Sequence, residues 1–289
     1  MPRSESCAEA ISFENGKVRE TCVIWNSFAF ISLVCSLLST ASAVLSFSAK
    51  RRGVSLLSGS MYSVLAVWSF ALFLCLSSAT SSDALLWSRA ANYVVLFLPA
   101  IVFHFVVVFV GQRSALERII VLYYILSLVY FSIILLAPDS FLHSPSLRFD
   151  EFWFPIGGSL FYFFPVLFVS VIGHALNVLF SERERRDHAE KLKIDYLIMT
   201  IIFGLLGGGL SLSLEFNINI PPYGILSVAL MVAVSTYAVL KHDLLDLPET
   251  LSIVITRVMI YVCIFAFVVL VLKGGVFLET ANLSITQIL

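Results

Sequence analysis

An ionisable group inside a membrane segment is expensive to hold in hydrocarbon and by default marks a functional site. Two residues of fixed charge, Arg89 and Arg257, fall inside the long apolar stretches of this chain. Arg89 stands in the run Trp87-Ser88-Arg89-Ala90-Ala91-Asn92-Tyr93. At about 100° of helix per residue, Arg89, Asn92 and Tyr93 share one face. Glu215 and Asn217 close a later apolar run at the same end. A pocket rimmed by these residues would suit a small amphipathic or anionic ligand. The plainer alternative is an interhelical Arg–Glu pair, or an Arg that reaches the headgroups beside a belt residue, Trp87.

Deeper in the same run stands His104, and His174 with Asn177 occupies the inner half of another. Such groups either relay a rearrangement or a proton between helices or act as polar glue, worth about 1 kcal/mol apiece. Beyond the seventh run come Asp243, Asp246 and Arg257, where the Arg can pair with one of the carboxylates at the inner interface. The expected route of a signal joins Arg89, Asn92, Tyr93 and Glu215 outside to Asp243, Asp246 and Arg257 inside.

Other chemistries find no foothold. No two of His104, His143, His174, His188 and His242 lie three or four residues apart, so no helix presents a paired metal face. The chain has no Gly-rich phosphate loop, no G-x-S-x-G turn, no zinc-spaced Cys pair and no mid-helix Lys for a Schiff base. We therefore expect no catalytic residues, no metal and no cofactor. Cys35, Cys75 and Cys263 read as small packing residues, while Cys7 and Cys22 could bridge in an oxidising compartment without any spacing that demands it. The net charge of −1 provides no field for nucleic acid.

The elements that position these residues are apolar runs at 23–47, 55–78, 86–110, 119–136, 155–179, 196–214, 222–240 and 252–272. A hydrocarbon core about 30 Å thick takes roughly 20 helical residues to cross. Backbone groups in lipid must be satisfied within the segment, and these runs lack the alternation of a barrel, so they must be helices. The composition, 59% hydrophobic and 13% charged with 25 Phe, agrees. The expected fold is an all-α integral membrane protein, a polytopic bundle of 7–8 transmembrane helices, with the bilayer as its first partner.

Short loops rich in Lys and Arg lie on the cytoplasmic side. Alternate loops carry Lys50, Arg51 and Arg52, then Arg113 and Arg118, then Arg183, Arg185, Arg186, Lys191 and Lys193, then Lys241; the intervening short loops carry Arg148 alone. The N terminus is thus placed outside. Residues 1–22 form an external tail with no apolar segment of a signal peptide, 23–246 the membrane domain, and 247–289 an eighth helix and C-terminal segment. The mildly apolar end from Gly274 to Leu289 is expected to be an interrupted chain or the lead into a ninth span.

Gly204, Gly207, Gly208 and Gly209 give the sixth run a small-residue face, with Gly204 and Gly208 in G-x-x-x-G spacing, which predicts close helix packing. Pro99 and Pro165 predict kinks. The mixed-charge stretch Ser181 to Lys193 predicts a helix carried into solvent by pairs such as Glu182 with Arg186.

The order of features resembles a known family. Trp87, Arg89 and Tyr93 precede Pro99 and Phe103-His104-Phe105; Trp153 precedes Pro155-Ile156-Gly157-Gly158. Pro221-Pro222-Tyr223-Gly224 opens a run that ends in Tyr237-Ala238-Val239-Leu240-Lys241-His242-Asp243-Leu244-Leu245-Asp246. Over 23–246 this is similar to the N-terminal seven-helix sensory region of bacterial histidine kinases, which also heads some diguanylate cyclases. The stretch from Ile253 looks like members with additional spans. No H-box, ATP-binding box or cyclase signature occurs in the 289 residues. The resemblance implies a sensory input module in a bacterial inner membrane that binds a small molecule. Its implied partners are a cytoplasmic kinase or cyclase output module and a second copy of the chain. The rival expectation is a small-molecule transporter or channel subunit, although no inverted repeat is visible.

Overall fold

The computed structural model describes residues 26–49 and 52–241. The tail at 1–22 with Cys7 and Cys22, and the eighth run with Cys263, lie outside the described residues. Helix α1 (Ser27–Ser48) starts at Asn26, whose side chain accepts from Ala29 N at 2.7 Å and caps the orphan donors of the first turn. The same side chain donates to Leu76 O at 2.8 Å, fastening α1 to the end of α2 (Arg52–Leu76). Ser32, Ser36, Ser39, Ser42 and Ser46 form a buried seam on α1. Small hydroxyl residues let backbones approach in lipid and hydrogen-bond across the gap. Ser36 donates to Ala66 O at 2.9 Å, and Ser46 meets Ser58 at 3.1 Å.

The third run divides. Helix α3 (Ser81–Val95), capped by Thr80, stops before α4 (Leu98–Phe109). Pro99 has no N–H to offer the Val95 carbonyl and its ring clashes there, so the helix breaks. Helix α5 (Arg113–Leu136) lies at the periphery, with Val121, Leu122, Ile125, Leu128 and Val129 all exposed. Helices α7 (Phe163–Arg185) and α8 (His188–Ser211) meet at a sharp turn where Asp187 accepts from Glu190 N at 2.9 Å. Among the described residues, helix α9 (Gly224–Lys241) completes seven passes of alternating direction. Six of these passes are long and apolar enough to span a bilayer, and α9 carries a shorter apolar stretch, Gly224–Thr236. The chain is a multi-pass helical membrane bundle, and among the described residues the α4–α5 turn and the basic α7–α8 turn meet at one end.

Between α5 and α7 the structure adds what hydropathy does not specify. A short helix α6 (Pro138–Phe141) leads into strands β1 (Ser146–Arg148) and β2 (Phe152–Phe154), paired antiparallel with Leu147 opposite Trp153. Phe149 and Asp150 take φ of 54° and 55°, and Glu151 N donates to Arg148 O at 3.0 Å. These are the left-handed central residues of a tight hairpin turn. Phe152 and Phe154 are buried with Leu72, Cys75, Leu76, Leu214 and Ile225, so the hairpin plugs the bundle end opposite the basic turns.

Two local expectations change. The fifth run begins its helix at Phe163 instead of 155, and Pro165 sits in the first turn of α7, where its missing N–H costs nothing, so it produces no kink. The glycine face of α8 also does not pack as one surface. A β-carbon at Gly204 or Gly207 would press on Met231, Val228 and the Gly224 carbonyl of α9, whereas one at Gly208 or Gly209 would meet nothing within 4 Å.

Candidate functional site

Gly208 and Gly209 face a cavity of about 270 Å³ lined by residues of α2, α3, α4, α7, α8 and α9. Its wall is mostly aliphatic and aromatic, including Met61, Leu65, Trp68, Phe105, Phe164 and Ile172. The polar exceptions are Asn92, Thr200, Ser211 and Glu215. Asn92 lies on α3 one turn beyond Ser88, to whose carbonyl it donates at 3.0 Å. Ser211 ends α8, and Glu215 follows one turn later in a tight C-terminal coil. That coil closes at Asn217, which takes φ of 60°, a left-handed conformation that Asn tolerates.

Glu215 is the unusual member. It is 6% exposed, and its carbonyl is held by Gly157 N at 2.7 Å. Its Oε2 is buried with no hydrogen-bond partner among the described residues, and so is the Ser211 Oγ. Removal from water disfavours the carboxylate and pushes the Glu215 carboxyl up to about 8, opposed only by a hydrogen bond from its own backbone N–H. At neutral pH the site therefore presents chiefly a carboxylic acid, able to donate as well as accept.

The remaining expected ligand residues disperse. Asn92 and Tyr93 are adjacent and so point about 100° apart around α3. Tyr93 turns to Phe131 and Phe141, with ring centroids 5.8 and 6.5 Å away. Arg89 donates to Asp139 at 2.6 Å and to the Leu142 carbonyl at 3.2 Å, clamping α6 instead of meeting Glu215. Asn217 accepts from Arg148 at 2.7 Å, which ties the hairpin to the end of α8. Of the five residues, the structure brings Asn92 and Glu215 to one cavity, while Arg89, Tyr93 and Asn217 brace the cap above it.

Among the expected relay residues, His104 and His174 face successive tyrosines of α5. His174 meets Tyr123 OH at 2.8 Å, and His104 meets Tyr124 OH at 3.4 Å. Asp243, Asp246 and Arg257 lie outside the described residues. At the basic end Gln112 donates to Glu182 at 2.6 Å, and Arg186 donates to Val110 O at 2.9 Å. Glu182 also lies 3.6 Å from Arg186, the spacing the sequence suggested, and Arg183 pairs with Asp195. This network ties the α4–α5 turn to the α7–α8 turn.

Sequence reasoning missed Ser211, although its position four residues before Glu215 was a usable signal. It also missed two hydroxyl pairs that hold α9, Tyr62 with Ser235 at 2.7 Å and Ser42 with Thr236 at 2.8 Å. Among the described residues no group of three or more His, Cys, Asp or Glu is placed to hold a metal ion. Compared with known proteins, the chain matches the family described as the N-terminal 7TM region of histidine kinase over residues 29–248. No curated protein and no solved structure matches it.

Proposed function

The chain belongs to the family of N-terminal seven-transmembrane regions of histidine kinases, and from that premise we propose that the cavity beside α8 is the stimulus site of a membrane sensory input module. The observation that carries this reading is a mostly apolar cavity with a buried, unpaired carboxyl at one end, Glu215. Asn92 and Glu215 contact the ligand directly. Arg89, Tyr93 and Asn217 hold the cap that fixes where the Glu215 carboxyl stands.

A ligand moves a helix bundle only by binding its two packings unequally. Six helices surround the cavity, so occupancy changes their spacing, and α4, α7 and α8 carry that change to the opposite end. There the Gln112–Glu182 and Arg186–Val110 contacts couple the two turns, with His104 and His174 linking α5 to the same motion. Asp243, Asp246 and Arg257 are the exit of this route toward a cytoplasmic kinase or cyclase module. The module works in a bacterial inner membrane, paired with a second copy of itself.

The test grafts residues 1–248 onto a histidine kinase output domain and follows phosphotransfer in membranes. Filling the cavity with Gly208→Leu, or removing its head group with Glu215→Ala, is expected to shift basal output by roughly threefold or more, a free-energy bias near 0.7 kcal/mol. Unchanged output from both variants at normal membrane levels would refute the sensory role of the cavity.

A further inference from the structure

We infer that the occupant of this cavity is an uncharged amphiphile drawn from the bilayer, which enters sideways between α7 and α8 and sets its polar head against Ser211 and Glu215. The inference rests on the sensory reading of the cavity only for its purpose; the binding itself is measurable without any output.

The route is visible in residues that serve two surfaces. Pro165, Phe168 and Val169 of α7, and Leu205, Gly208 and Gly209 of α8, line the cavity and remain partly or fully exposed on the outside of the bundle. Val169 is 53% exposed, and the absent side chains at Gly208 and Gly209 leave open space between the helices. Both helices are bilayer-spanning, and their neighbouring exposed residues are Val166, Ile202, Leu206 and Leu210. The mouth therefore opens on lipid.

The shape and chemistry select the class of molecule. Lining residues on α8 run from Leu197 to Ser211, roughly 21 Å of helix rise at 1.5 Å per residue, so the cavity is long for its volume. Such a slot takes a single flexible apolar chain. Polar capacity is concentrated at one end, where Ser211 Oγ and Glu215 Oε2 lack partners one turn apart. Among the described residues no Lys, Arg or Asp lines the cavity, because Arg89 is spent on Asp139 and Leu142 O. An anionic head would meet no counter-charge. A cationic head would need Glu215 ionised, which its burial opposes; among the described residues the Cys75 thiol is near enough to feel its charge. A hydroxyl or amide head satisfies both orphaned atoms.

The test uses the full chain in phosphatidylcholine nanodiscs at pH 7, with 1-decanol carrying a photoreactive diazirine on its alkyl chain. Labelling is expected to saturate and to fall within 165–172 and 205–212. Unlabelled 1-decanol should compete about tenfold better than decanoate or decyltrimethylammonium. Gly208→Leu should cut this labelling about tenfold while leaving the lipid-facing labelling of α5 intact, and Gly208→Ala should cut it by less. Glu215→Gln, still uncharged and hydrogen-bonding, should keep labelling within about twofold, whereas Glu215→Ala with Ser211→Ala should lose about tenfold. Labelling that never saturates, or that Gly208→Leu leaves unchanged, overturns the inference, as does strongest competition by the ammonium or the carboxylate. Saturable labelling beside an unmoved kinase graft would leave this inference standing and remove the sensory reading. The reverse outcome would do the opposite.

Discussion

On the side of α8 that meets α9, a β-carbon at Gly207 would lie 2.9 Å from both the Gly224 carbonyl oxygen and Val228 Cγ2. On the side toward α7, β-carbons at Gly208 and Gly209 would touch nothing within 4 Å. The same residue type, in consecutive positions, thus serves two ends. Where another backbone arrives, glycine permits the close approach that substitutes for hydrophobic drive in lipid. Where no neighbour arrives, the missing side chain leaves volume. The α8–α9 contact is built to stay shut, and the α7–α8 gap to stand open.

The sharpest way to break this comparison is to place a large side chain on each face. Gly207→Leu forces α8 off α9 and is expected to cost several kcal/mol, read as lost folded protein or a collapsed thermal midpoint in detergent. A Gly207→Leu protein as stable as the wild type would erase the distinction between the two faces.

Next comes the acid at the cavity's end. The Glu215 carboxyl has its folded pKa raised to about 8 against an ordinary 4.5. Below both values each state is protonated and the site costs nothing. As pH rises between them, the unfolded chain ionises while the folded one holds its proton, so stability falls, and the loss is complete above about 8. Glu215→Gln removes that dependence. Its unfolding free energy should match the wild type's near pH 4.5 and exceed it at pH 8.5 by an amount on the order of a few kcal/mol, read from thermal or denaturant unfolding. A gap that does not widen with pH would mean the carboxyl is not held neutral.

A smaller effect is expected on the closed side. Tyr62→Phe removes the hydroxyl that donates to Ser235 and should cost about 1 kcal/mol in thermal or denaturant unfolding, with no change in cavity labelling. The smallest change in stability belongs to Gly208→Leu, whose side chain enters empty space. It should alter unfolding by less than about 1 kcal/mol while shifting the basal output of the grafted kinase by roughly threefold or more. That dissociation separates the open face from the closed one most cleanly.

Much of this architecture was legible in the residues, and the reason is that transfer to lipid is a local, additive property. Each apolar run could be weighed without knowing its neighbours, and the uneven placement of Lys and Arg set the expectation for which end faces the cytoplasm in the same way. The break at Pro99 and the Glu182–Arg186 pair are likewise short-range consequences of the chain. What lies between helices was not legible. Arg89 was as ready to pair with Glu215 as with Asp139, and only the folding of α6 beneath it decided the matter. Asn92 and Tyr93 part company because a helix turns about 100° per residue, yet which of them would meet the cavity depended on where α2, α7 and α8 came to stand. The hairpin at Ser146–Phe154 escaped notice because strands this short leave no periodic signature. The glycines show the division most plainly: composition announced small side chains on α8, but whether each would receive a backbone or leave a void was set by the approach of α9 and α7, which no local sum contains.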